Sequence, residues 1–191
     1  MKDINLFRTK DSIFLKKIKS KSEILKTNNC DGYLIEASES EARKIIESLK
    51  GKEKIIAIIG GDSLFNRRAI ETLRIDYLIS PERGSKNDSL KQRDSGLNYV
   101  VAKEAAKKDV SVVIDFSDMS RLQGKEKALR LSRLIQNIKV CRKAKCSIKI
   151  ASFAGNVKNV IDKKSLSSFG ISLGMSSEQS RDAVRFYFTK P

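Results

Sequence analysis

The chain has 191 residues, 40% hydrophobic and 32% charged, which suits one domain around one core and falls short of a full eight-unit barrel. Its 39 Lys and Arg stand against 23 Asp and Glu, and the resulting formal charge of +16 implies a polyanionic partner, nucleic acid before membrane lipid. There is no His, no apolar run of spanning length and no lipidation signal, and the 3 Cys (Cys30, Cys141, Cys146) form no C-x-x-C pair. Those features exclude His-based catalysis and His metal ligands, give no membrane call, and point to reduced thiols in a cytoplasmic setting.

Residues 3–8 (DINLFR) predict a first strand. Asp11 or Ser12 then reads as the cap of a basic helix running through Ile13, Phe14, Ile18, Ile24 and Leu25. A second strand is expected over 32–36, followed by a helix that the capping box of Ser38 and Glu41 opens and that ends near Gly51. The 54–59 run is apolar without alternation, as expected of a strand covered on both faces. Gly60-Gly61-Asp62-Ser63 lacks the spacing of a phosphate-binding loop and reads as a plain turn into a helix through Asn66, Arg67, Ala69, Ile70 and Leu73.

A fourth strand is expected over 76–79, closed by Pro81, and the stretch 82–92 has no hydrophobic periodicity, so a mobile basic loop is expected near 83–92. Asp94-Ser95-Gly96 is expected to cap the next helix, with Leu97, Val101 and Ala105 inward and Lys103 and Lys107 outward. A fifth strand over 110–116, a basic helix over 124–146 and a sixth strand over 148–152 follow. The 166–173 segment reads as a short seventh strand, and 177–188 as a closing helix with Val184 and Phe188 inward. Such alternation defines an α/β fold in one domain spanning 1–191, a compact TIM-barrel-like (β/α) barrel, complete or incomplete, with an open doubly wound sheet as the alternative.

The basic helix carries the strongest functional signal: from Arg121 to Lys145 there are nine Lys or Arg and one acid, Glu126. Leu131, Leu134, Ile135 and Ile138 share one face, and Arg130, Arg133 and Asn137 form a stripe beside it. A stripe of that kind suits phosphate backbones, where released counterions make binding steep in salt and weak in sequence preference. A solvated helix face is the plain structural alternative. Aromatic content is only 6%, which argues against base stacking as the dominant mode, while Arg83, Lys86, Lys91 and Arg93 in the loop could order on phosphates.

An enzyme reading rests on Glu36, Asp62, Glu82 and Asp115, which all fall at the C-terminal ends of predicted strands, the catalytic face of a barrel. Such acids could hold Mg²⁺ in a metal-dependent phosphoesterase, or simply cap helices and pair with Arg. No Ser, Cys or Lys stands in a nucleophile setting.

The ordered set Gly61 with Asn66-Arg67-Arg68-Ala69, then 76–82 (DYLISPE), then 93–98 (RDSGLN), with Ala102, Ala105, Arg130, Arg133, Asn137, Lys143 and the 148–152 strand, resembles the archaeal ribonuclease P protein component 3 family, over roughly 54–174. The resemblance implies a barrel related to a phosphoesterase superfamily and a non-catalytic, RNA-binding role in removing 5′ leaders from precursor tRNA. It implies that catalysis belongs to the ribonuclease P RNA and its Mg²⁺, that this chain binds no cofactor, and that its protein partner is a small α/β subunit in a heterotetramer. The RNA-binding candidates are Arg67, Arg68, Arg93, Arg130, Arg133, Asn137, Lys139 and Lys143, with Asn66, Asp94, Ser95 and Gly96 as structural motif residues. Two departures from the family pattern are a longer 82–93 segment and Tyr99 in place of a frequent His, which implies that such a His is not essential chemistry.

Overall fold

The computed structural model describes residues 2–24, 29–84, 88 and 93–187. Among them are seven strands: β1 (Asp3–Asn5), β2 (Ser12–Ile18), β3 (Gly32–Ile35), β4 (Ile55–Ile59), β5 (Tyr77–Ile79), β6 (Ser111–Asp115) and β7 (Ile148–Ala151). All are parallel and neighbour one another in chain order. At the seam between β1 and β7, Phe153 N–H donates to the Ile4 carbonyl and Leu6 N–H to the Ala154 carbonyl, both at 2.9 Å. The Asp3 and Asn5 side chains add to it, accepting from Ser152 N–H and Ala154 N–H at 3.1 Å each. The sheet is therefore a nearly closed, incomplete TIM-like barrel.

Among the same described residues, seven α-helices accompany the strands: α1 (Glu39–Ser48), α2 (Ser63–Thr72), α3 (Tyr99–Lys107), α4 (Phe116–Arg121), α5 (Gly124–Ala144), α6 (Lys163–Ser172) and α7 (Ser177–Ala183). Side chains alternate across the sheet. One set, including Ile4, Ile13, Leu15, Leu34, Ala57, Ile79, Val113 and Ala151, clusters with Phe153 and Phe186. The other set, including Ile35, Ile58, Leu78, Val112, Ile114 and Ile150, packs against helix residues such as Ile45, Ile70, Val101 and Leu134. Both faces of β4 are covered, which is why it reads as an unbroken apolar run. Most helices open on a short polar cap: Ser38, Asp62, Asn98, Asp115, Asp162 and Ser176 each accept a backbone N–H of the first turn.

Three elements differ from the sequence expectation. The helix expected from Asp11 or Ser12 is strand β2, because Ile13 and Leu15 alternate into the apolar cluster while Lys16 stays in solvent. Ser12 Oγ accepts from the Thr9 N–H and hydroxyl at 3.2 and 2.7 Å, so it fastens a turn rather than a helix, and Leu25 lies outside the described residues.

The strand expected over 166–173 is helix α6: Asp162 caps it at Ser165 N–H (2.9 Å), and Leu166 and Gly170, one turn apart, both face the core. The closing helix is shorter than 177–188. It stops at Ala183, after which Val184 is buried as expected and Phe186 bridges Lys2 in antiparallel register. Phe188 lies outside the described residues, as does most of the loop expected over 83–92.

The expected cap at Asp94-Ser95-Gly96 is also corrected. Asn98 opens α3, its side chain accepting Val101 N–H at 2.9 Å, and the upstream triplet forms a turn. At its other end, α5 closes as a Schellman motif, with Lys145 at φ 57° and Cys146 N–H bonded back to the Cys141 carbonyl at 2.9 Å. That motif brings Cys141 and Cys146 together as buried free thiols joined by a side-chain hydrogen bond.

Candidate nucleic-acid interface and the barrel mouth

The C-terminal ends of the strands gather the four acids singled out from the sequence, and each already has a partner. Glu36, after β3, meets Lys17 Nζ at 2.8 Å, Arg83 at 3.5 Å and Lys19 at 3.9 Å. The Lys17 ammonium, with help from Arg83 and Lys19, holds this carboxyl below its usual range. Asp62 accepts Phe65 N–H at 2.8 Å and Asp115 accepts Asp118 N–H at 2.9 Å, as caps of α2 and α4. Burial pushes Asp115 up to about 6 despite that bond.

Glu82 is the most deeply placed of the four, 2% exposed. Burial pushes its carboxyl up to about 7, and the Asp118 and Asp115 carboxylates add to the rise, although Arg130, 3.6 Å from Glu82 and 3.0 Å from Asp118, opposes it. Asn137 Nδ2 approaches Glu82 at 3.5 Å and donates to the Ser95 carbonyl at 3.1 Å. Among the described residues, no group of three or more Asp, Glu, Cys or His is arranged to hold a metal. An open cleft of 560 Å³ remains, lined by Glu36, Gly60, Gly61, Asp62, Arg83 and Gly84 among others.

The loops around this mouth are tied together by Asn66, which is fully buried. Its Nδ2 donates to the carbonyls of Gly61 (3.1 Å), Pro81 (2.9 Å) and Gly96 (3.0 Å), while its Oδ1 accepts Gly61 N–H at 2.8 Å. The turn requires Gly96, since φ is +72° and a Cβ would strike the Pro81 carbonyl. Asp94 accepts the Ser63 hydroxyl at 2.8 Å and Gly96 N–H at 3.0 Å, and the buried Ser95 hydroxyl donates to the Leu97 carbonyl at 3.2 Å. Asn66, Asp94, Ser95 and Gly96 thus form one structural knot.

The remaining candidates fall into two groups. Arg130, Arg133 and Asn137 do share a stripe of α5, but it turns toward the protein: the Arg130 and Arg133 side chains are 11% and 13% exposed, and Arg133 pairs with Asp88 at 3.0 Å. Arg67 pairs with Glu71 at 2.7 Å and Arg68 with Glu39 at 3.0 Å, both on the helix exterior. Arg93 donates to Ser132 Oγ at 2.6 Å. Lys139 and Lys143 project into solvent with no carboxylate partner among the described residues, and Lys143 Nζ lies 5.4 Å from the centre of the Tyr99 ring. Lys17 and Tyr99 were not singled out as site residues from sequence: Lys17 was hidden by the helix reading, and the exposure of Tyr99 has no local signal.

The family model for ribonuclease P subunit p30 matches residues 17–189. The chain belongs to that family. Curated relatives include ribonuclease P protein component 3 of Methanocaldococcus jannaschii, 30% identical over 76% of this chain and 61% of the relative. The protein of that name from Methanothermobacter thermautotrophicus is 26% identical over 80% of this chain and 60% of the relative, so the chain spans about three-fifths of such proteins.

Among solved structures, a chain of an archaeal ribonuclease P with mature tRNA superposes with a TM-score of 0.68 at 21% identity, covering 96% of this chain and 86% of that one. An amidohydrolase gives a TM-score of 0.57 at 12% identity over 84% of this chain and 41% of its own, so the barrel is shared with a hydrolase.

Proposed function

We propose that this chain is a non-catalytic, RNA-binding protein subunit of ribonuclease P, supporting the catalytic RNA as it removes the 5′ leader of precursor tRNA. Family membership supports this choice of assembly. The observation that carries the mode of action is the division of charge: the strand-end acids are occupied by internal cations and helix caps, while a net +16 leaves lysines unpaired outside. In this reading the Mg²⁺ of the reaction resides with the RNA, and the protein lowers the repulsion between packed phosphates. Lys139 and Lys143, with the exterior Arg67, Arg68 and Arg93, meet phosphates, whereas Arg130, Arg133 and Asn137 act indirectly by fixing the mouth loops.

The protein partner in this reading is a small α/β subunit, with two copies of each chain forming a heterotetramer, and precursor tRNA is met through the RNA. The test is precursor-tRNA cleavage by this protein alone, by the RNA alone, by the RNA with the partner, and by the RNA with both proteins, each at low and moderate Mg²⁺. Cleavage that requires the RNA and needs less Mg²⁺ when this chain is added is the expected result. Cleavage by the protein alone, stopped by a chelator, would instead assign the strand-end acids to a metal-dependent phosphoesterase.

A further inference from the structure

Helix α3 begins with two large side chains left in solvent, Tyr99 at 42% and Val100 at 68% exposure. On a helix, Tyr99, Val100, Lys103 and Lys107 fall within an arc of roughly 100°, opposite the buried Val101, Ala102 and Ala105. Helix α5 packs directly alongside, and its Lys139 and Lys143, one turn apart, are exposed beside that arc. Among the described residues Lys103, Lys139 and Lys143 have no carboxylate partner, although Arg130 on the same α5 has two. Lys107, at the far end of the arc, pairs with Glu104 at 3.7 Å, so the face joins the aromatic ring to three cations, Lys103, Lys139 and Lys143, that no carboxylate among the described residues compensates.

We propose that this α3/α5 face receives an unpaired nucleotide of RNA, its base stacking on Tyr99 and its flanking phosphates meeting Lys139 and Lys143. The proposal rests on the RNA-binding reading above and assigns it a place and a mode. Lys143 lies over the Tyr99 ring instead of in an ion pair, so moving to a phosphate breaks no carboxylate contact and uncovers the ring. A cation over an exposed ring is a weak contact, whereas a base on an aromatic ring is a stronger one, so the exchange runs toward the bound state. A base flanked by phosphates supplies the planar stacking group and the counter-charge in one unit, which is the combination this face offers to bind. Stacking here is confined to a single residue, consistent with the low aromatic content of the chain.

The experiment uses the full chain and an RNA hairpin with 2-aminopurine in its loop, titrated across a salt series. Wild type and Tyr99→Phe are expected to quench the 2-aminopurine, while Tyr99→Ala loses the quench and binds roughly ten-fold or more weakly. Lys139→Ala with Lys143→Ala is expected to lower the slope of log affinity against log salt by roughly 1.4–1.8. Lys10→Ala with Lys16→Ala, on the β2 side of the barrel, removes as many charges and is expected to leave the quench intact. Matching melting curves for all variants separate binding from folding.

If wild type binds the hairpin but the Tyr99 and Lys139/Lys143 variants match it in quench and slope, this face is overturned while RNA binding stands. If wild type binds no RNA at any salt, the RNA-binding reading itself falls. RNA binding unchanged in these variants, but association with the small partner subunit lost, would give the face to a protein instead.

Discussion

The barrel mouth and the α3/α5 face carry similar residue types and use them in opposite ways. At the mouth, Lys17, Arg83 and Arg130 are held by Glu36, Glu82 and Asp118, and the amide of Asn66 is bonded to three loops. On the α3/α5 face, Lys139 and Lys143 are exposed and pair with no carboxylate among the described residues. Charge that is compensated inside a protein contributes to architecture, and charge that is not compensated attracts a counter-charge from outside. The barrel shared with a hydrolase has here a mouth whose acids are taken up by its own ion pairs and helix caps.

If the mouth is architectural, the largest losses of stability belong there. Arg130→Ala leaves Glu82 and Asp118 without their shared cation, and is expected to cost about 3–5 kcal/mol in a denaturant titration above about pH 7, where Glu82 is ionised. A cost below about 1 kcal/mol would place Arg130 among the replaceable surface cations.

The pH dependence comes next. Burial raises Glu82 to about 7 from 4.5, so the folded protein holds a proton on it that the unfolded chain releases. Folding stability is therefore expected to fall as pH rises from about 4.5 to 7 and to level off above, by roughly 3 kcal/mol on this residue's account. Asp115, raised to about 6, adds a fall of the same sign between about 4 and 6. The Glu82→Gln variant should flatten the upper part of this profile, and a profile that keeps its slope in that variant would locate the titration elsewhere.

Smaller effects follow. Asn66→Ala orphans the Gly61, Pro81 and Gly96 carbonyls, and is expected to cost about 2 kcal/mol and to loosen amide exchange in the loops it ties. Arg68→Ala removes one exposed pair with Glu39, and a melting curve that overlays that of wild type is expected.

The legible part of the fold was the part with one period. The apolar runs of β4, β6 and β7 and the capping box at Ser38 were plain in the sequence because burial on both faces and a first-turn cap leave local marks. Strand β2 was not, since Lys17 sits at the mouth where an apolar residue would have completed the alternation, and its partner Glu36 is distant in the chain. Helix α6, rich in Ser, offered too few apolar residues to fix a period.

The candidate site was legible in composition more than in position. A surplus of cations was evident, but which of them are already paired depends on acids brought from other elements, such as Asp118 to Arg130 and Asp88 to Arg133. The Asp94-Ser95-Gly96 triplet read as a helix cap, and nothing local to it marked the tight turn that Asn66 holds.

The most direct test of this division of labour is ultraviolet cross-linking of the chain to the ribonuclease P RNA, followed by mass-spectrometric mapping of the joined peptides. Cross-links on peptides carrying Tyr99 and Lys139–Lys143, with none on those carrying Glu36 or Asp115, are the result expected here. Cross-links confined to the mouth peptides would contradict it and return the strand ends to the functional surface.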